Sequence, residues 1–151
     1  MKAAVLILAL SSQLAWSADE LALFKESATQ ILVAKYLGHT AYGAYVCISI
    51  EGKAPTEAQV ASFQSLGIRD VGAPAACVCH KRNGEDECFR QNSSQLACVL
   101  SVSNFEFHAF TNASASVFQA CGETDGDGEV ARFEKRGEVW LYMGSIKRTV
   151  S

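Results

Sequence analysis

Six cysteines, one acidic loop and three histidines are the residues of this chain whose types and spacing could do chemistry. The cysteines are Cys47, Cys77, Cys79, Cys88, Cys98 and Cys121. In an oxidising compartment an even count reads as a disulfide framework, and six thiols allow fifteen pairings. Cys77 and Cys79 stand too close together to pair across an extended segment. Cys79 and Cys88 flank a polar stretch whose Asn83-Gly84 is a strong tight-turn signal, so a bridge closing that hairpin is the local expectation. Cys47–Cys77 and Cys98–Cys121 complete the set, with other arrangements of those four left open. The same region, Cys77-Val78-Cys79-His80 with Cys88, holds zinc-ligand types. Zinc sites usually leave two or more residues between paired cysteines, so the spacing favours disulfides over metal.

The acidic loop runs from Glu123 through Asp125, Gly126 and Asp127 to Glu134. Oxygen donors at its first, third and fifth positions, glycine at the sixth and glutamate at the twelfth follow the EF-hand order, which makes calcium the alternative reading. Glutamate in place of aspartate at the first position, Ala131 at the ninth and strand-like flanks favour a solvated hairpin turn. No metal ligand is therefore assigned. Of the histidines, His39 follows a helix stop, His80 lies in a turn, and His108 alternates with Phe107 and Phe110 in a strand. A Cys–His nucleophile needs a free thiol of low pKa, and the even cysteine count leaves none spare. No GxSxG, HExxH or phosphate-binding glycine loop occurs. No catalytic residue and no cofactor are indicated.

The amino terminus fixes the compartment. Met1-Lys2 precedes an apolar run over residues 3–10, followed by small residues at Ala15 and Ser17. This is the order of a secretory signal peptide, with cleavage expected after Ser17. A spanning helix needs about 20 apolar residues, and the run stops at Ser11. No other segment has spanning length, so a secreted or periplasmic product is expected. Of 151 residues, removing residues 1–17 leaves 134, enough for one domain with a single core over 18–151. The removed segment carries one lysine and no acid, so the formal charge moves from −3 to −4. That balance argues against nucleic acid and anionic membrane, which reward clustered Lys and Arg. Asn92-Ser93-Ser94 and Asn112-Ala113-Ser114 match the N-glycosylation pattern and matter only in a eukaryotic source.

The elements that would carry these residues read as helices first and strands after. Residues 18–37 are helical, with Asp19 as a capping residue, Leu21, Phe24, Ala28, Ile31, Leu32 and Lys35 on one face, and Gly38 as the stop. Residues 42–50 read as a strand. A second helix opens at Ala54-Pro55-Thr56-Glu57, with proline in the first turn, and buries Val60, Phe63 and Leu66. A short strand over 68–71 leads to the cysteine hairpin. Residues 96–102, 105–111, 113–121, 130–135 and 139–146 then alternate as strands, with turns at Asn112, 122–128 and Arg136-Gly137. Such short connections exclude parallel crossovers. The expectation is an α+β domain with two amino-terminal helices on one face of a curved antiparallel meander. The aromatic residues Phe105, Phe107, Phe110, Phe118, Phe133, Trp140 and Tyr142 lie on that sheet and fill its core.

The segment Tyr45-Val46-Cys47-Ile48-Ser49-Ile50-Glu51-Gly52-Lys53-Ala54-Pro55, the Cys77 region and the late Gly137-Glu138-Val139-Trp140 carry a resemblance. They resemble an uncharacterised family of small exported bacterial proteins with a C-[LI]-S-[VI]-[DE]-G-K-x-P segment. The tail after Met143-Gly144 departs from that family's ending. The sheet half also resembles the nuclear-transport-factor-2-like and cystatin-like folds, which implies an architecture and no function. The expected role is a non-catalytic binding or envelope-accessory module for a protein or a small apolar ligand. The alternative is a pocket enzyme of nuclear-transport-factor-2-like form, or a calcium-binding domain.

Overall fold

The computed structural model describes residues 17–38, 44–121 and 127–148. The segment expected to be a signal peptide, other than Ser17, lies outside the described residues, as do Glu123 and Asp125 of the acidic loop. The chain is α+β, with two helices, a mostly antiparallel sheet and three disulfides.

Helix α1 (Ala18–Leu37) is capped two residues earlier than expected. Ser17 and not Asp19 is the N-cap. Its hydroxyl accepts from the Glu20 amide at 3.2 Å, and the Ser17 amide donates back to the Glu20 carboxylate at 3.4 Å. The extended backbone of Ser17 lets the short side chain reach that amide. Phe24, Ala28, Thr29, Leu32, Val33 and Leu37 are its buried residues. Lys35, expected on that face, is exposed and holds its ammonium 4.8 Å from the Tyr142 ring centre. Helix α2 (Glu57–Ser65) is capped by Thr56 in a reciprocal pair with Gln59. Pro55 therefore precedes the cap and does not occupy the first turn. Only Phe63 of the expected stripe is fully buried, and Leu66 is exposed.

The main sheet has the order β2-β1-β5-β6-β7-β8. Its strands are β1 (Tyr45–Ile50), β2 (Val71–Gly72), β5 (Ala97–Ala109), β6 (Asn112–Cys121), β7 (Asp127–Arg136) and β8 (Val139–Lys147). Between them, β3 (Cys77–Arg82) and β4 (Glu85–Arg90) form a separate two-stranded hairpin. The sheet is mixed and not wholly antiparallel: β1 runs parallel to both β2 and β5. Residues 51–96 give β1 and β5 a connection far longer than the dozen residues a parallel crossover needs. The two strands expected over 96–111 are one, because the break near Asn104 is a bulge and not a turn. Asn104 takes φ +50°, a left-handed conformation that asparagine tolerates better than most residues. The reversal falls at Phe110-Thr111, so Asn112, expected in the turn, opens β6.

Helix α1 meets β5, β6 and β8. Alternate residues of each strand face it: Val46 and Ile48, Leu100 and Val102, Ala113, Ala115 and Val117, Ala131 and Phe133, and Trp140 all join one core with Phe24, Leu32 and Phe63. Cys47 alternates with that set and bonds to Cys77, which draws the hairpin toward the opposite face. There β4 contacts β5 and β6.

Candidate functional site

Three disulfides brace one end of the fold: Cys47–Cys77, Cys79–Cys88 and Cys98–Cys121. The last two join directly paired residues of antiparallel strands, across β3–β4 and β5–β6. The hairpin turn is Asn83-Gly84, both at positive φ, the conformation a two-residue connection of this kind requires. Cys79 and His80 are thus held in a hairpin, and no thiol among the described residues is free. No group of three or more His, Cys, Asp or Glu side chains converges among the described residues.

The acidic loop leads into an extended strand. Asp127 and Glu134 both belong to β7, opposite Gln119 and Asn112 respectively. Seven residues of extended chain separate them by roughly 23 Å, too far to share one ion. The Glu134 carboxylate accepts from Arg136 Nε at 2.9 Å. His108 Nε2 lies 2.7 Å from Ser114 Oγ. Ser114 is buried, and the imidazole satisfies a hydroxyl that β-sheet packing has removed from water. Between α1 and α2 a cleft of about 60 Å³ is lined by Glu26, Thr29, Gln30, Gln59, Ser62 and Phe63. The buried Thr29 hydroxyl finds no partner among the described residues. At about 15 Å³ per water, the cleft has room to hydrate it.

A polar cluster missed in the sequence closes the carboxyl end of α1 against the sheet. The Tyr36 phenol and the Ser145 hydroxyl both donate to the same carboxylate oxygen of Glu129. Gln119 donates to the Tyr36 carbonyl at 3.1 Å. Burial, and then the hydrogen bond to Glu129, hold the Tyr36 phenol well above its ordinary range near 10. The folded state therefore favours the protonated phenol. Its contribution to stability is whole below the unfolded value and falls as pH rises past about 10. Tyr36→Phe should lower stability at neutral pH by about 1–2 kcal/mol, the worth of a half-buried hydrogen bond to a charged group. Chemical unfolding of both proteins from pH 7 to 11 should show this gap narrowing above pH 10. A gap that stays constant to pH 11 would contradict the role given to Tyr36.

The face away from α1 is covered unevenly. The hairpin lies over β5 and β6, whereas β8 carries Val139, Leu141, Met143 and Ile146 at 58%, 37%, 45% and 56% exposure. Phe118 of β6 is 38% exposed. Outward residues of the neighbouring β7 include Arg132, Glu134 and Arg136, so the apolar strip follows the sheet edge and is flanked by charge. Isolated exposed apolar residues are ordinary, whereas a contiguous strip bordered by polar groups marks an interaction surface. The sequence concealed it, because Val139 to Met143 is apolar at every position and shows no alternation of inside and outside. No helix among the described residues is long and apolar enough to cross a membrane. In comparisons with family models, curated proteins and solved structures, nothing matches the chain.

Proposed function

We propose that this chain is a non-catalytic binding module, delivered to a secreted or periplasmic location by a signal peptide cleaved after Ser17. It takes a protein or a small apolar ligand at the apolar strip of β8. The exposure of Leu141, Met143 and Ile146 beside the charged outward residues of β7 is the observation that carries the reading. Three disulfides and the lack of a spanning helix among the described residues fit an extracellular or periplasmic protein. The curved sheet with both helices on one face, as in nuclear-transport-factor-2-like folds, belongs to the same proposal. The register shifts in β5 and between β7 and β8 support it, since bulges bend strands. The resemblance of the Cys47 segment to a family of small exported bacterial proteins is in keeping with this proposal.

The test compares affinity capture from the native envelope or culture fluid using the wild-type chain and the triple variant Leu141→Ser, Met143→Ser, Ile146→Ser. A ligand held by the wild type should be lost from the variant, while exposed serines leave the fold intact. Identical profiles from the two proteins would dispose of the strip as the binding surface.

A further inference from the structure

Strand β8 combines three features that together select one kind of occupant. Its far backbone edge has no neighbouring strand among the described residues, because the sheet order ends on it. Its exposed apolar side chains run along that edge. Its one irregularity is an extra residue, Met143, between Tyr142 and Gly144, which pair with the adjacent Phe133 and Arg132 of β7. A long edge strand with unpaired N–H and C=O groups is a template for another strand. We propose that β8 pairs antiparallel with β8 of a second copy of this chain, joining the two sheets edge to edge.

The register follows from the faces. Paired residues of an antiparallel ladder must project to the same side of the sheet, and a one-residue slip reverses every side chain. Trp140 and Tyr142 face the core, Val139 and Leu141 face out, and after the extra residue Ser145 faces in and Ile146 out. Same-face pairing then sets Val139 beside Ile146, Trp140 beside Ser145 and Leu141 beside Gly144 of the other copy. Against a regular partner strand Met143 would be left unpaired, as it is against β7. A second copy brings the same extra residue, so the two irregularities fall opposite each other at the centre of the contact and same-face pairing resumes on either side. Gly144, at φ +112° with open space where a Cβ would stand, leaves room for Leu141 across the pair.

Charge agrees with this register. Continuing it by one residue brings Glu138 of each copy beside Lys147 of the other, at both ends of the contact. Lys147 also stands in register with Glu129 of its own β7. The opposite sheet edge, β2, is only two residues long. It cannot serve as the other half of a head-to-tail contact, so the β8 contact closes as a two-fold dimer and not a filament. Edge pairing uses backbone groups and leaves the outward strip open to a ligand. The inference therefore stands apart from the binding reading, and either can fail alone.

The test uses the mature chain carrying Val139→Cys or Ile146→Cys, each at an exposed position where folding should be unaffected. Mixed in equal amounts and mildly oxidised, the two variants should give a covalent dimer whose new bridge maps to positions 139 and 146. Each variant oxidised alone should stay monomeric in denaturing electrophoresis, because like positions lie at opposite ends of the contact. Sedimentation equilibrium of the wild type should give twice the chain mass, and Ile146→Lys should weaken association at least tenfold. A wild type that sediments as a monomer at every concentration up to the millimolar range would overturn the proposal. So would bridges forming as readily between like positions as between 139 and 146.

Discussion

Phe24→Ala should destabilise the fold by about 3–5 kcal/mol, the largest effect expected of any single truncation here. Phe24 is fully buried on α1, and its ring centre lies 4.6 Å from Trp140, 5.1 Å from Phe107, 5.5 Å from Phe133 and 6.0 Å from Phe105. Those four rings come from three different strands, β5, β7 and β8. One side chain thus ties the helix to the sheet across most of its width. Its removal forfeits the transfer of a large ring and leaves a void that four aromatic neighbours on pleated strands cannot close. Trp140, the one tryptophan beyond Ser17, is 6% exposed and touches Phe24, so its fluorescence reports the loss directly. Leu23→Ala, one residue earlier and 62% exposed, is the control and should move stability by no more than about 0.5 kcal/mol. Equal urea midpoints for the two variants would show that α1 does not pack as described.

Removing the Cys47–Cys77 bridge by paired alanine substitution should cost about 3–4 kcal/mol, seen as a fall in melting temperature of roughly 10 °C or more. The bridge closes a span of 30 residues, against 9 for Cys79–Cys88 and 23 for Cys98–Cys121. If the bridges act by restricting the unfolded chain, their loss should rank in that order, with Cys79–Cys88 lowest at about 2.5 kcal/mol. Cys47 is almost fully buried and anchors the hairpin to β1, so packing adds to the entropy. Calorimetry of the three paired variants checks the ranking. A smaller loss from Cys47/Cys77 than from Cys79/Cys88 would mean that the hairpin is held by other contacts.

Local signals made much of the fold legible. The spacing from Phe24 to Leu32 marks α1, Asn83-Gly84 marks the hairpin, and period-two alternation marks the strands after residue 96. What was not legible is what depends on partners distant in sequence. Nothing local to Tyr45–Ile50 says that it lies between β2 and β5, parallel to both. The stretch around Asn104 carries the residue types of a turn, and only the continuing pairing with β6 makes it a bulge. Ser17, the residue expected just before the cleavage point, caps α1 in the uncleaved chain, since both uses want a small residue. The candidate site was hidden for a related reason. Strand β8 places apolar residues on both faces, and the choice of which face is covered belongs to α1 and the hairpin, not to β8 itself. The Tyr36–Glu129–Ser145 cluster joins residues far apart in the chain, beyond the reach of any spacing argument.

The parallel pairing of β1 with β5 has a kinetic consequence. Two strands about fifty residues apart meet slowly, because the loop must close before the contact rewards it. Here the bridges lie inside that loop. A path from Cys47 across to Cys77, through Cys79 to Cys88 and on to Ala97 is about a dozen residue steps long. The shortcut removes about 1 kcal/mol of closure entropy. With both bridges formed, the parallel pair becomes a nearly local event. The redox state of this chain then governs how fast β1 finds β5, in addition to how stable the finished sheet is.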